Sequence, residues 1–303
     1  MSVDAVLIAG PTASGKSEAA LALAERIHGA LVNTDSMQVY REARILTARP
    51  DDAALARAPH FLFGHVGVNE HYSVARYQSD ASAAFERVRA SGRVPIFVGG
   101  TGLYFHALTH GLAEIPQIPE AVRKSVRERR DAIGADAFYA ELAARDPDSA
   151  VRLRPGDTQR TLRAAEVIET TGRPLSEWQK SHGMVPLEGL RLARFVLSLP
   201  RSELHRRIEA RFERMVEAGA LEEARALRDI NQKLPSAKLL GLRELWPVLD
   251  GSLSLAAATI AAKAATRQYA KRQLTWFRHR MAHWTWIEET APEKVRYLMA
   301  QYT

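Results

Sequence analysis

The sequence predicts an α/β fold, in which a parallel sheet is flanked by helices and a small all-helical domain is inserted. In the N-terminal third of the chain, short apolar runs bounded by turn residues alternate with amphipathic helical patterns. Such alternation is typical of a parallel sheet whose strands are joined by helices. A Pro-punctuated segment, "AEIPQIP", then leads into helical patterns alone. These observations indicate one sheet-containing core and one helical insertion.

The individual elements follow from the same patterns. The first strand is predicted over residues 3–9, because a near-continuous apolar run that ends at Gly-Pro is typical of a strand buried on both faces. The next segment, Ser17–Ile27, has apolar residues at helical spacing and is followed by a glycine. Three more strands and one helix are predicted in the core: strands Ala30–Thr34, Arg93–Val98 and Arg194–Leu199, and helix Val74–Ala90.

The chain is predicted to form two domains. The core comprises residues 1–114 and 192–303, including a helical C-terminal part, and the insertion comprises residues 115–191. Three helices are predicted in the insertion, over residues 120–133, 135–145 and 158–171.

Composition limits the possible functions. The 303 residues are 46% apolar, enough to bury one large or two modest domains. Cysteine is absent, which excludes disulfides, thiolate zinc sites and cysteine nucleophiles. Neither a leader pattern nor an apolar stretch of ~20 residues occurs, so a cytoplasmic protein without membrane contact is expected. The net charge of +7 is compatible with a polyanionic partner or with a solvated basic surface.

A phosphate-binding loop lies between the first strand and the first helix. The segment "GPTASGKS" matches G-x-x-x-x-G-K-[ST] in the strand–loop–helix context that this motif requires. In such loops the backbone N–H groups and the lysine bind an anion, and the last hydroxyl binds Mg²⁺. The motif predicts a P-loop NTPase-like sheet, with Ser17 as the Mg²⁺ ligand. The diphosphate- or nucleotide-binding loop consists of Gly10, Pro11, Thr12, Ala13, Ser14, Gly15, Lys16 and Ser17.

Asp35 is the acid that follows a predicted core strand. The carboxylate that NTPases usually place after another strand to hold Mg²⁺ is absent after Val98, where the chain continues "GGTG". The strand ends of a doubly wound sheet face the ligand crevice, so Asp35 is expected beside the loop. Three roles are open: orienting Mg²⁺, acting as a general base, or capping a following helix. Ser36 and Gln38 have donor and acceptor groups suited to a base edge.

Five blocks of the sequence resemble the tRNA dimethylallyltransferase (tRNA isopentenyltransferase) family in order and spacing. They are "AGPTASGKS", "NTDSMQVYR", "PIFVGGTGLY", "DTQRTLRAAEV" and "ATRQYAKRQLTWFR". In that family a dimethylallyl group moves from its diphosphate to the exocyclic amine of the adenine just 3′ of the anticodon. The P-loop there holds the leaving diphosphate rather than ATP. Three stretches depart from the family pattern: "EARILTARP" replaces a "DIGTAKP"-like stretch, "PHFLFG" replaces "PHHLID", and "LGLRE" replaces "IGY(K/R)E".

The resemblance implies ligands and site residues. The ligands are dimethylallyl diphosphate, Mg²⁺ and the anticodon stem-loop of tRNA. An adenine amine is a poor nucleophile, so the departing diphosphate needs charge stabilisation and the amine needs a proton acceptor. By resemblance, Lys16 and Arg211 act on the diphosphate and Asp35 is the base. Thr101 contacts the nucleotide or supports Asp35; a plain turn residue is the alternative. The implied tRNA contacts are Asp35, Ser36, Met37, Gln38, Thr101, Arg123, Gln159, Arg160, Thr161, Leu162 and Arg163.

The spacing of three further sets of charged or histidine residues has consequences for function. Lys263, Arg267 and Lys271 recur every four residues, which predicts a positive ridge that contacts tRNA phosphates. Arg211 lies on or beside an apolar helical stripe, so its charge is either paired in the core or directed into a site. No zinc site is expected from the histidines at 60, 65 and 71, because their spacing is irregular.

Two other functions remain compatible with the motif alone. A small-molecule kinase would hold ATP on the loop, with Asp35 deprotonating an alcohol. A non-catalytic RNA-binding switch would couple nucleotide state to RNA affinity without forming a product. The missing strand-end acid argues against both. A monomer without an obligate protein partner is expected, because the chain can bury its own core.

Overall fold

The computed structural model describes residues 3–181 and 183–288. Within them the chain forms two compact units. The first is built from the chain up to Leu108 and from Leu187 onward, and the second is Thr109–Pro186. The sequence had predicted these boundaries at 115 and 191. Among the described helices, none combines the length and the apolar character that crossing a bilayer requires.

Six parallel strands form one sheet in the first unit, which confirms the predicted α/β class. The strands are β1 (Ala5–Ala9), β2 (Gly29–Asn33), β3 (His60–Phe61), β4 (Val94–Gly99), β5 (Leu192–Leu197) and β6 (Thr285–Ile287). Their order across the sheet is β3-β2-β4-β1-β5-β6. The four predicted strands are present, whereas β3 and β6 have only two and three residues, too few to give a periodic pattern.

Thirteen α-helices and one 3₁₀ turn, Pro235–Lys238, occur in the described residues. The predicted helix at Val74–Ala90 and the three predicted insertion helices have the expected bounds, and the first helix begins one residue earlier than predicted. The helices are α1 (Lys16–Ile27), α2 (Asp52–Arg57), α3 (Val74–Ala90), α4 (Gly102–His110), α5 (Glu120–Ile133), α6 (Ala135–Arg145), α7 (Pro147–Ala150), α8 (Thr158–Thr171), α9 (Leu175–Trp178), α10 (Arg201–Glu217), α11 (Ala220–Ala226), α12 (Leu242–Leu249) and α13 (Leu255–Arg280).

The sheet is buried on both faces. Successive side chains of a strand point to opposite faces, and β1 shows the result: Leu7 belongs to the apolar cluster that includes α3 and α4, whereas Val6 and Ile8 belong to the cluster that includes α1. All five residues of β1 are completely buried. A strand covered by helices on both sides therefore has an unbroken run of apolar residues in the sequence, and this pattern predicted β1.

The second unit is helical and has its own small core. Val126 of α5, Phe138 of α6 and Ala165 of α8 form one apolar cluster. The carboxylate of Asp146, which is completely buried, accepts hydrogen bonds from the backbone N–H groups of Ser149 at 3.0 Å and Ser176 at 3.1 Å. Asp146 thereby ties the start of α7 to α9.

The carboxyl ends of β2 and β4 approach each other closely. The N–H of Thr34 donates to the carbonyl oxygen of Val98 at 2.8 Å, and the N–H of Thr101 donates to the carbonyl oxygen of Thr34 at 3.1 Å. Between these bonds, a Cβ on Gly99 would lie 2.0 Å from the oxygen of Thr34 and 2.7 Å from the nitrogen of Asp35. Only a glycine at position 99 lets the two segments meet.

Gly99→Ala is expected to lower the free energy of unfolding by roughly 3 kcal/mol, because the added methyl group must displace the backbone of Thr34. Urea denaturation followed by circular dichroism measures the loss. Gly67→Ala is the matched control in the same unit, since a Cβ there meets only the side-chain ends of Glu70 and Glu42. Equal midpoints for the two variants would contradict the expected close approach.

Candidate active site

The phosphate-binding loop has the backbone conformation that its motif predicts. Gly15 caps the N-terminus of α1 with φ of 87°, and Ala13 has φ of 65°. Left-handed residues next to helical ones give a loop the concavity of backbone N–H groups that binds anions. The hydroxyl of Ser14 is buried in this loop, and within the described part of the chain it has no hydrogen-bond partner. A ligand phosphate would supply that partner.

Lys16 lies under the loop and is only 8% exposed. Its Nζ donates to the carbonyl oxygen of Pro11 at 3.2 Å. Burial lowers the pKa of Lys16 to about 8; the negative charge of Asp35 opposes this shift, and the positive charge of Arg211 adds to it. The three side chains are therefore close enough to interact electrostatically, and at neutral pH the ammonium of Lys16 stays largely protonated.

Asp35 is fixed by the residues around it. The side chain of Asn33 accepts from the N–H of Asp35 at 2.9 Å and donates to its carbonyl oxygen at 3.0 Å. The Oδ1 of Asp35 accepts from the N–H of Met37 at 2.9 Å. Its Oδ2 lies on the side of Gly100, 3.2 Å from where a Cβ on that residue would be, and accepts no hydrogen bond from the described residues.

The structure removes one of the three roles considered for Asp35. No helix begins after it, because residues 36–39 form bends and turns. The bond from Met37 to Oδ1 is instead an Asx turn, in which an aspartate holds the backbone two residues on. Capping a following helix is therefore wrong, and Oδ2 is left for chemistry or for a cation.

Thr101 connects the segment after β4 to the segment after β2. Its Oγ1 accepts from the N–H of Ser36 at 2.9 Å and donates to the Oγ of Ser36 at 3.2 Å. The side chain of Tyr269, on α13, lies near Thr101, and burial raises the pKa of Tyr269. Thr101 is thus more than a turn residue, because its hydroxyl holds the residue that follows Asp35.

Arg211 enters the site from α10. Its neighbours on that helix, Ile208 and Phe212, are buried in apolar clusters. Burial lowers the pKa of Arg211, and the carboxylate of Asp35 partly opposes the shift. Its Nη2 donates to the carbonyl oxygen of Thr47 at 3.4 Å. The guanidinium is therefore directed towards the loop and Asp35, in a cleft that Thr12 and Ala13 also line.

Gln38 is tied to the atypical stretch that follows it. Its Nε2 donates to the carbonyl oxygens of Thr47 at 3.0 Å and Ala48 at 2.9 Å, so both amide hydrogens are used within the chain. The expectation that Gln38 offers a paired donor and acceptor to a base edge is thereby corrected to an acceptor, Oε1. Met37 packs against the main apolar cluster and does not point wholly to solvent.

Glu223 of α11 holds the same stretch by its backbone. Its Oε2 accepts from the N–H groups of Arg44 at 2.8 Å and Ile45 at 2.7 Å, and its Oε1 accepts from that of Leu46 at 2.8 Å. Sequence reasoning missed Glu223, since it lies far along the chain from its partners and has no local motif. Asn33 was also missed; its only signal is an amide two residues before the strand-end acid.

The residues predicted to contact tRNA in the second unit differ in exposure. Gln159 and Arg160 are exposed at the start of α8, where Arg160 forms an ion pair with Asp157. Thr161 is only 1% exposed and its hydroxyl donates back to the carbonyl oxygen of Asp157 at 3.0 Å, so direct contact between that side chain and RNA is not expected. Leu162 packs against an apolar cluster of this unit.

Arg163 and Arg123 lie close together in the same unit. Burial lowers the pKa of Arg163; the charge of Glu166 opposes the shift, and that of Arg123 adds to it. The Nε of Arg123 is buried without a hydrogen-bond partner among the described residues. Two neighbouring guanidinium groups with an unsatisfied donor are suited to a phosphate oxygen.

The predicted positive ridge on α13 is largely neutralised. Lys263 forms an ion pair with Glu213, and Arg267 pairs with Glu209 at 2.9 Å; both acids lie on α10. Of the three ridge residues, only Lys271 has no such pair in the described structure. The predicted positive ridge is wrong at Lys263 and Arg267, because the acids that neutralise them lie on another helix and cannot be inferred from local spacing. Contact of these residues with tRNA stays a prediction.

Comparison with known proteins agrees with this geometry. A family model described as IPP transferase matches residues 38–280. A tRNA dimethylallyltransferase of Azorhizobium caulinodans is 53% identical over 282 residues, which cover 92% of this chain and 90% of that protein. The corresponding protein of Rhodospirillum centenum is 52% identical over 279 residues, covering 91% of this chain and 89% of its own.

Solved structures extend the likeness to the whole fold. The crystal structure of a tRNA isopentenylpyrophosphate transferase from Bacillus halodurans superposes with a TM-score of 0.70 at 33% identity, covering 99% of this chain and 95% of that one. A eukaryotic dimethylallyltransferase acting on tRNA gives a TM-score of 0.77 at 28% identity, and the match covers 91% of this chain and 70% of that one. These neighbours share the P-loop NTPase-like architecture predicted from the loop. Matched over most of its length by the family model and by close relatives, the chain belongs to the IPP transferase family.

Proposed function

We propose that this chain transfers a dimethylallyl group from dimethylallyl diphosphate to the exocyclic amine of the adenine 3′ of the anticodon in tRNA, releasing diphosphate. The observation that carries the proposal is the proximity of Asp35, whose Oδ2 accepts no bond from the described residues, to the buried Lys16 and the partly buried Arg211 at a phosphate loop. The names of the relatives support the choice of substrates. Nothing in the site favours a kinase or a non-catalytic switch.

The donor half of the reaction needs stabilisation of the leaving group. As the bond between carbon and oxygen breaks, negative charge collects on the diphosphate. Loop N–H groups, Lys16 and Arg211 are suited to that charge, and two cations beside one carboxylate leave a net positive site for an anion. The hydroxyl of Ser14, which has no partner among the described residues, is a further donor for a phosphate oxygen.

Mg²⁺ fits this donor set through the diphosphate. Within the described residues no group of three or more His, Asp, Glu or Cys side chains could form a protein cage for a metal. Ser17, in the first turn of α1, offers one hydroxyl, which matches the habit of Mg²⁺ of binding phosphates and water with few protein ligands. When bound, the ion would neutralise part of the diphosphate charge.

The acceptor half of the reaction needs a proton acceptor. When the amine nitrogen forms its bond to the allylic carbon, it becomes acidic and loses a proton. We assign that proton to the Oδ2 of Asp35, since Oδ1 is held by the N–H of Met37. Thr101 keeps Ser36 and therefore the adjoining Asp35 in place. An adenine can reach this site only if it is extruded from the anticodon loop.

We further infer that Arg123 and Arg163 bind tRNA phosphates, since their guanidinium groups are adjacent and one donor is unsatisfied. The tRNA substrate is the basis for expecting a cytoplasmic enzyme. A monomeric state rests on the burial of the sheet by the chain's own helices.

The proposed reaction is tested by incubating the protein with Mg²⁺, unmodified tRNA, and either radiolabelled dimethylallyl diphosphate or γ-labelled ATP. Label from the prenyl donor is expected in the RNA, and none from ATP. Asp35→Asn is expected to lower turnover by roughly 10²- to 10⁴-fold while tRNA affinity is retained, because the asparagine keeps the Oδ1 acceptor but not the base.

Asp229→Asn, at an exposed position of the same unit, is the matched control. Transfer of phosphate label from ATP to a small molecule would favour the kinase. Full turnover by the Asp35→Asn variant would remove Asp35 as the base.

Affinity for inorganic diphosphate is expected to fall as pH rises through about 8, the pKa of Lys16, because the deprotonated amine no longer attracts the anion. Above that pH the affinity for diphosphate is expected to fall by up to about tenfold per pH unit, because one proton is lost from Lys16. Calorimetric titrations from about pH 7 to about pH 10 measure it. Lys16→Arg is the reference, since a guanidinium stays charged over this range. Parallel profiles for the two proteins would show that Lys16 does not titrate.

Arg163→Gln is expected to weaken tRNA binding and to reduce the slope of log affinity against log salt by about 0.8, the loss of one phosphate contact. Filter binding over a salt series measures both quantities. Arg129→Gln serves as the control, because Arg129 is ion-paired with Glu141 at the surface of the same unit. A slope identical to that of the wild type would exclude a phosphate contact for Arg163.

A further inference from the structure

The side chain of Gln273 joins two loops of the candidate site. Gln273 lies on α13 and is 6% exposed. Its Nε2 donates to the carbonyl oxygen of Gly100 at 2.9 Å, and its Oε1 accepts from the backbone N–H of Thr12 at 2.9 Å. Only one orientation of the amide makes both bonds, because each end has a fixed role as donor or acceptor.

The bond to Gly100 depends on the absence of a side chain there. A Cβ on Gly100 would lie 2.2 Å from the Nε2 of Gln273 and 3.2 Å from the Oδ2 of Asp35. The amide of Gln273 and the carboxylate of Asp35 thus approach the same glycine. This gives a physical reason for the second glycine of the "GGTG" segment, which the phosphate-loop motif does not explain.

The two loops carry different halves of the reaction. Thr12 belongs to the P-loop, beside which Lys16 and Arg211 lie. Gly100 precedes Thr101, which is bonded to the segment that contains Asp35. Near the sheet, a backbone bond from Gly10 to Gly99 at 3.3 Å connects the loops. Beyond that bond, Gln273 bridges them with a side chain that comes from a distant part of the chain.

We propose that Gln273 sets the separation between the diphosphate half and the base half of the site and so acts as a positioning residue for the transfer step. The inference rests on the function proposed above. The allylic carbon must lie about 3–3.5 Å from the attacking nitrogen, and a misplacement of about 1 Å can cost ~10²-fold in rate. Because Gln273 belongs to neither half, its loss is expected to separate turnover from affinity.

Two variants test the inference. Gln273→Met has a similar shape and loses both bonds, whereas Gln273→Glu keeps the acceptor for Thr12 but places a carboxylate oxygen against the carbonyl of Gly100. Gln273→Met is expected to lower kcat by roughly 10- to 100-fold, with Kd for inorganic diphosphate and for tRNA changed by less than about threefold. Gln273→Glu is expected to lower kcat as well and to leave Kd for tRNA unchanged, whereas its added negative charge beside Asp35 weakens diphosphate binding. Gln268→Met, at an exposed position of the same helix, is the matched control and retains wild-type kcat.

A second measurement does not depend on activity. Hydrogen exchange at the N–H of Thr12 is expected to accelerate in Gln273→Met and to stay slow in Gln268→Met and Gln273→Glu, because only the first variant removes the acceptor. Thermal melting checks the fold of each variant; if Gln273→Met does not fold, Gln273→Glu carries the kinetic comparison.

The outcomes separate this inference from the proposed function. A wild-type protein that transfers no prenyl label overturns the proposed function and the positioning role with it. An active wild type whose Gln273 variants keep full kcat overturns the positioning role alone. So does a loss of kcat in Gln273→Met that is matched by an equal loss of affinity for diphosphate, which would make Gln273 part of the donor site.

Discussion

The backbone of Thr34 passes Gly99 at a distance that leaves no space for a side chain, and the site depends on this contact. It brings the end of β2 against the end of β4, so that the N–H of Thr101 reaches the carbonyl of Thr34. Asp35 then follows directly beside the phosphate loop that β1 supplies. The parallel order of the sheet, with β4 between β1 and β2, makes this meeting of three loops possible.

Electrostatics add a second constraint. Lys16 is buried and Arg211 is partly buried, and the charge of Asp35 opposes the lowering of the pKa of each. Burying two cations with one anion is unfavourable unless another negative group arrives. A diphosphate supplies that negative group. In the proposed reaction, the negative charge that develops on the diphosphate as it leaves must also be stabilised. The same imbalance is therefore suited both to binding an anion and to stabilising the charge that develops on it in the proposed reaction.

Much of this could be predicted from the sequence, because the informative signals are local. The loop motif, the apolar strands and the position of Asp35 are each read from a few consecutive residues. What could not be predicted comes from distant parts of the chain. The acids on α10 that neutralise Lys263 and Arg267 and the carboxylate of Glu223 meet their partners only in the folded state. The turn after Asp35 resembled a helix start because an aspartate satisfies a backbone N–H in either structure.

The anchoring of residues 44–46 by Glu223 has a consequence for how this stretch can vary. All three bonds go to main-chain nitrogen atoms, which every amino acid except proline possesses. The side chains at these positions can therefore be substituted without loss of the three bonds, whereas substitution of Glu223 would remove all of them. Substitutions in this stretch can in this way leave its backbone path unchanged.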